Sequence, residues 1–286
     1  MVEELDSGAG AAPDTAGLLE TALPDGERVF CTHELEVASV HRQVRGYLQH
    51  GIRIEAGATV FDVGANIGLF TRLAHRTCGG DVRVLAFEPI PATLRALRAN
   101  VARLGSPRIE VFGCALGRQA GTLEFAYYPD FTVASTAYGD DQDELRAQLR
   151  ASFLRNLDVA PPPVNRLRYL PPFLRGLVLD WKMGPAFVSE RVRCPVRTLS
   201  EIVRERGIRS IDLLKVDAEK SELDVLLGIE EADWSRIRQV VLEIHDLDGR
   251  LDRIRRLLES HGLSRIEIEQ ELILRTSTIF TMFARR

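Results

Sequence analysis

Apolar positions along this chain follow two alternating periods. Short, continuously apolar runs, "ATVFDVG", "DVRVLAFE", "SIDLLKVD" and "IRQVVLEIH", predict strands buried on both faces. Between them, "GLFTRLAHRT", "PATLRALRANVARLG", "SELDVLLGI" and "DGRLDRIRRLLESHG" predict helices. In the second of these, Leu94, Leu97, Val101 and Leu104 recur at three- and four-residue spacing before Gly105 ends the run. "RIEVFGCAL" predicts a third strand, and "HELEVASVHRQVRGYLQHGI" (33–52) a leading helix that stops near Gly51. Strands alternating with helices imply a parallel sheet covered on both faces. The chain closes on "LSRIEIEQ" and "TSTIFTMFARR", two strands with no helix between them, which implies an antiparallel strand at one edge.

Two regions break this rhythm. Residues 1–32 begin "MVEELDSGAGAAPDTAG", acidic and rich in small residues, with neither the basic nor the apolar segment of a signal peptide. A loosely ordered tail is expected there, and one domain over 33–286. From about 129 to 190 the pattern is irregular, yet it carries Phe131, Phe153, Tyr169, Phe173, Trp181 and Phe187. That is too much apolar surface for a solvated coil, so an inserted lid is expected.

Composition narrows the partners. A net charge of -4 argues against a nucleic-acid partner, and no apolar run is long enough to span a membrane. Cys31, Cys78, Cys114 and Cys194 form no CxxC pair, which fits reduced thiols and a cytoplasmic location. Of 37 basic residues only Lys182, Lys215 and Lys220 are lysine, so each lysine invites a question about shape or charge.

The candidate chemistry starts at the first strand-to-helix turn, Asp62-Val63-Gly64-Ala65-Asn66-Ile67-Gly68. A nicotinamide site would read G-x-G-x-x-G. Here Asn66 replaces the second glycine and the last glycine comes one residue early, so an NAD-linked oxidoreductase is disfavoured. The spacing D-x-G-x-N-x-G matches the first motif of S-adenosylmethionine (SAM) methyltransferases. Gly64 and Gly68 let the backbone approach a ligand, Asn66 tolerates left-handed geometry, and Asp62 can hold the methionine ammonium directly or through water. Glu88, ending the next strand, can take both hydroxyls of a ribose. Ile90 can pack on adenine, and Ala115 and Leu116 in "GCALG" can supply a small wall on the same rim. Together with the strand order, these features predict the class I SAM-dependent methyltransferase (Rossmann-like) fold, a seven-stranded, mostly parallel sheet with one antiparallel edge strand.

These stretches together resemble the FkbM family of SAM-dependent methyltransferases. "FDVGANIGLFT", "AFEPIPATLRALRANV", "ALG", "RTLSEI", "IDLLKVDAEKSELDVLLGI" and "VVLEIHD" stand in the family's order and spacing, over roughly residues 33–284. The family commonly has glycine after the glutamate of "KVDAE", where this chain has Lys220. The closing blocks look like the branch found in polyketide and nonribosomal peptide pathways, and nothing resembles a carrier or ketosynthase domain, so a freestanding copy is expected. The resemblance implies methyl transfer from SAM to a hydroxyl, less often a nitrogen, of a small-molecule secondary metabolite. A non-catalytic SAM-binding protein is the other reading, and the acids at Asp62, Glu88 and Asp217 count against it.

Ligands of a parallel sheet sit beyond the carboxyl ends of its strands. That rule nominates Asp217 and Glu219 after "LLKV", and Glu243 to Asp246 after "VVL". For a hydroxyl acceptor a proton must be removed, and His245 as a neutral imidazole is the expected base, with Asp217 next. Tyr47, on the leading helix, is expected to reach the cofactor. Asp217, Glu243, His245 and Asp246 show no recognisable ligand spacing, so no metal is expected.

Overall fold

The computed structural model describes residues 13–128, 150–151, 154–155, 157–158, 164–183, 190–270 and 278–286. Its first elements fall within the expected tail. Strands β1 (Leu19–Ala22) and β2 (Arg28–Cys31) pair antiparallel, with Leu19 opposite Cys31. A hairpin therefore replaces loose chain over 19–31. Val29 and Cys31 point into the core, and the buried Asn100 side chain binds the Phe30 backbone both ways. The Phe30 N–H donates to Oδ1 at 2.7 Å, and Nδ2 donates to the Phe30 carbonyl at 2.8 Å.

Helix α1 (Glu34–Gly46) stops at Gly46, short of Gly51. Then come β3 (Ala58–Val63), α2 (Leu69–Thr77), β4 (Val82–Phe87), α3 (Pro91–Leu104) and β5 (Ile109–Phe112). Pro91 opens α3, where its missing N–H costs nothing, and Gly105 ends it at φ 63°. The third strand expected over "RIEVFGCAL" divides at Gly113. Leu94 packs so closely there that an added Cβ would lie 2.8 Å from its Cδ2. Beyond the bend, β6 (Ala115–Leu116) leaves the main sheet and pairs with β8 (Glu190–Arg197), whose other neighbour is β7 (Gly121–Tyr127).

β7 and β8 thus bracket the insertion. Its described part holds a 3-10 turn (Val164–Tyr169) and α4 (Pro172–Met183). Leu157, Leu167 and Leu179 give it a small core of its own. Tyr169, Phe173, Leu177 and Trp181, four residues apart, stand 66–77% exposed. The stretch "DQDELRAQLRASFLRNL" (141–157), whose sequence predicts a short helical run, lies mostly outside the described residues.

The second half resumes the alternation with α5 (Leu199–Glu205), β9 (Leu213–Val216), α6 (Glu222–Leu227), α7 (Glu231–Trp234), β10 (Gln239–His245) and α8 (Arg250–Ser260). β11 (Arg265–Glu269) and β12 (Ile279–Arg285) close the chain. Thr198 and Glu201 cap α5 reciprocally.

The main sheet has seven strands in the order β11–β12–β10–β9–β3–β4–β5. β10, β9, β3, β4 and β5 run parallel. β12 is reversed, antiparallel to β10 on one side and to β11 on the other. This is the α/β class I methyltransferase arrangement, with the reversed strand near one edge, between β10 and the outermost strand β11. Alternate residues of each central strand feed two cores. Phe61, Leu85, Leu214 and Leu242 face α5 and α8, while Val60, Val84, Leu213 and Val241 face α1, α2 and α3. Cys31, Cys114 and Cys194 are buried free thiols, and burial pushes that of Cys114 up to about 12. Among the described residues no helix is long and apolar enough to cross a membrane.

Candidate active site

The carboxyl ends of β3, β4, β9 and β10 share one rim, and the nominated residues gather there. In the turn after β3, Gly64, Asn66 and Gly68 all adopt left-handed backbone, at φ 70°, 51° and 88°. The glycine at 64 is required by contact as well as by φ. A Cβ there would lie 1.8 Å from the Asp217 carbonyl oxygen. Asn66 stabilises its own strained turn, accepting the Ile67 N–H on Oδ1 at 2.7 Å.

Glu88 closes the far side. One carboxylate oxygen accepts the Asn66 N–H at 2.9 Å and the other the Ile90 N–H at 3.0 Å. Burial raises its pKa to about 7, against the pull of those two N–H groups and Lys215. The Thr93 side chain is a third partner, and the carboxylate keeps acceptor capacity beyond these three bonds. A ribose diol brings two donors, so the turn and Glu88 fit a nucleoside-type methyl donor.

Asp62 differs from expectation. It is fully buried, with Thr71 Oγ1 donating to Oδ2 at 2.6 Å and Lys215 Nζ 3.1 Å from Oδ1. Both carboxylate oxygens are thus turned to partners inside the protein and away from solvent. Lys215 is the link instead. Its buried ammonium also donates to the carbonyls of Val63 (3.2 Å) and Gly64 (2.6 Å), and sits 3.9 Å from Asp217. Burial alone would lower its pKa; the charges of Asp62 and Asp217 outweigh that and hold it above the usual lysine value. Asp62 therefore shapes the turn through Lys215.

The second group of acids is denser than the strand-end rule implied. Tyr47, just past α1, is buried edge-on to Phe70 and donates to Asp217 Oδ2 at 3.0 Å, with Glu243 Oε2 at 3.4 Å. Gln43 Nε2 donates to Glu243 at 2.5 Å. Tyr47 thus supports Asp217 from beneath. Burial, then the charges of Asp217 and Asp217's neighbour Glu243, keep its phenol well above the usual pKa, so the hydroxyl stays a donor. Burial, reinforced by Asp217 and Glu219, likewise puts the Glu243 carboxyl well above its usual range.

His245 lies between two carboxylates, Nδ1 2.9 Å from Glu222 Oε1 and Nε2 3.2 Å from Glu219 Oε2. Burial would lower its pKa, but Glu219 and Glu222 more than reverse this and raise it well above the free value. The neutral imidazole expected from sequence is not the form this geometry favours. Glu219 and Lys220 are both left-handed, at φ 33° and 71°. That is a conformation glycine adopts without strain, the residue the resembling family carries at position 220.

Ile90 and Leu116 are nearly covered by protein. Ile90 packs with Phe125, Tyr127 and Cys194, and Leu116 sits in the core beneath β3 and β4. Of the three wall residues named from sequence, Ala115 is the one left half-buried. Sequence reasoning missed Gln43, Thr71 and Glu222. Glu222 was concealed by its place in the first turn of α6, where an acid ordinarily serves the helix dipole.

The model of the Methyltransferase FkbM domain matches residues 62–264. The 31-O-demethyl-FK506 methyltransferase FkbM of Streptomyces tacrolimicus is 38% identical, over 92% of this chain and 95% of that protein. The AMB antimetabolite synthetase AmbE of Pseudomonas aeruginosa is 33% identical over 96% of this chain, which spans only 13% of the synthetase. Among solved structures, the methyltransferase FkbM from Methylobacillus flagellatus KT superposes with a TM-score of 0.51 at 15% identity, covering 87% of this chain and 52% of that one. The chain belongs to the FkbM methyltransferase family.

Proposed function

We propose that the chain transfers a methyl group from SAM to a hydroxyl of a small-molecule secondary metabolite. The observation that carries this reading is the contact between the two halves of the rim. The Asp217 backbone closes against Gly64 of the donor turn, while its side chain is held by Tyr47 at the carboxyl end of β9. Donor and proton acceptor are thereby set side by side. When bound, SAM supplies a methyl on a sulfonium, whose carbon–sulfur bond breaks with its electrons returning to sulfur.

The residues do the rest. Gly64, Asn66 and Gly68 shape the turn, and Glu88 takes the ribose hydroxyls. Asp217 receives the proton that the acceptor oxygen gives up as it bonds to carbon. His245, held as a cation between Glu219 and Glu222, favours the oxygen as negative charge develops on it. Gln43 of α1 and Tyr47 just past it contribute from the neighbouring element, through their bonds to Glu243 and Asp217. The hydroxyl preference is supported by the Streptomyces tacrolimicus relative, whose name specifies an O-demethyl acceptor.

The test uses labelled SAM with hydroxyl-bearing polyketides, 31-O-demethyl-FK506 first among them. Asp217→Asn is expected to cut turnover about 10²- to 10⁴-fold while SAM affinity by calorimetry stays near wild type. Turnover of these acceptors near wild type in that variant would remove Asp217 as the proton acceptor, and methylation of amine-bearing but not hydroxyl-bearing acceptors by the wild type would retire the hydroxyl reading. Absence of SAM binding in the wild type would defeat the proposal.

A further inference from the structure

Donor atoms from Glu219, Glu243 and His245 all lie within 4.8 Å of one another. A cation with oxygen ligands at about 2.1 Å has neighbouring ligands about 3 Å apart and opposite ones about 4.2 Å apart. The 3.2 Å between His245 Nε2 and Glu219 Oε2 is the separation of such neighbours. Sequence spacing did not suggest this set because its members come from the β9 loop and from β10.

A separate observation concerns the far side of the imidazole. His245 Nδ1 meets Glu222 Oε1 at 2.9 Å, and Glu222 is wholly buried. A carboxylate on one ring nitrogen fixes the tautomer and turns the other nitrogen toward a metal. The second oxygen of that carboxylate, Oε2, is buried with no hydrogen-bond partner among the described residues. Asp62, Asp217 and Glu243 are joined through Lys215 and Tyr47, Glu219 and Glu222 through His245, and the two sets approach each other at Glu243. Carboxylates withdrawn from water need compensating positive charge.

We propose that Glu219, Glu243 and His245 Nε2 hold one divalent cation of the oxygen-preferring kind, Mg²⁺ or Mn²⁺, and that Glu222 is the positioning residue behind His245. Two carboxylates and one imidazole leave coordination positions for water or an acceptor oxygen, beside Asp217. The cation takes the place of the proton shared by Nε2 and Glu219 and supplies the positive charge there. Its use in catalysis rests on the methyl-transfer reading; its binding does not.

The experiment titrates Mn²⁺ into full-length protein stripped with EDTA, without donor or acceptor, and follows the free-ion signal by electron paramagnetic resonance. The expected result is one bound equivalent, displaced by Mg²⁺. Glu219→Gln, Glu243→Gln and His245→Gln should each weaken binding at least tenfold. Glu222→Gln, which keeps the shape and touches no metal, should weaken it about 10- to 100-fold. Urea midpoints verify that each variant is folded, and any that is not is replaced by Asp at the glutamates or Asn at His245. No saturable Mn²⁺ binding at millimolar ion, or binding indifferent to all four substitutions, overturns the proposal. A chain that binds Mn²⁺ here and transfers no methyl retires the functional reading alone, while methyl transfer undiminished in EDTA with no Mn²⁺ bound retires only the metal.

Discussion

Lys215 carries its charge in a place where water cannot reach it, bonded to Asp62 and two carbonyls of the donor turn. Lys215→Met keeps the bulk and leaves Asp62 as an unpaired buried carboxylate. Breaking such a pair costs roughly 3 to 5 kcal/mol, so the urea midpoint should fall sharply, and adding Asp62→Asn should recover part of the loss. Glu88 invites a different measurement, because its partners are the N–H groups of Asn66 and Ile90 and the Thr93 side chain. Glu88→Ala should cost about 1.5 to 3 kcal/mol in SAM affinity by calorimetry, the worth of charge-assisted bonds to a diol. At this scale the sequence was readable where identity alone decides. Gly64, Asn66 and Gly68 take the left-handed backbone that their residue types favour, and Glu88 meets that turn at the Asn66 N–H. The burial of Asp62 against Lys215 was not readable, because that partner comes from β9, far along the chain, and the scarcity of lysine was the signal pointing to it.

Elements that repeat the strand–helix period were legible because each hides a continuous apolar face; those that depend on one side chain were not. The β1–β2 hairpin is the clearest case, with four-residue strands too short to show a period. Asn100 anchors it. Besides its two bonds to Phe30, its Nδ2 donates to the Ile67 carbonyl at 2.8 Å, so one amide ties the hairpin to the donor turn. Arg72 of α2 adds a second tie, paired with Asp25 and Glu27 in the hairpin loop. Asn100→Ala strands these backbone groups and should cost about 1 to 3 kcal/mol in urea unfolding. Hydrogen exchange should show the loss concentrated in residues 19–31. The small β6–β8–β7 sheet escaped notice for a related reason, since β6 is two residues long and its partner lies beyond the insertion.

The whole molecule gathers carboxyl groups at one rim and lifts their proton affinity on folding. Glu88, raised from 4.5 to about 7, favours the fold when protonated, and that contribution is lost as pH rises from 4.5 through 7. Glu219 and Glu243 shift in the same direction, burial being the first cause. His245 is also raised, so its stabilisation is complete below about 6.5 and is lost at higher pH, through its folded value. All four make the folded state bind more protons than the unfolded one. Stability of the EDTA-treated protein should therefore decline from mildly acidic toward alkaline pH, and His245→Gln should flatten the part of the decline above 6.5. Equilibrium unfolding at a series of pH values measures both. The close fit of the Asp217 carbonyl over Gly64 has a temporal consequence too. Because the loop bearing Asp217 rests on the Gly64 turn, a ligand filling that turn is expected to stiffen the loop as well. On the proposed methyl-transfer reading, turnover is expected to follow a preferred sequence of arrivals, the methyl donor entering first and its demethylated product leaving last, and product-inhibition patterns check this order.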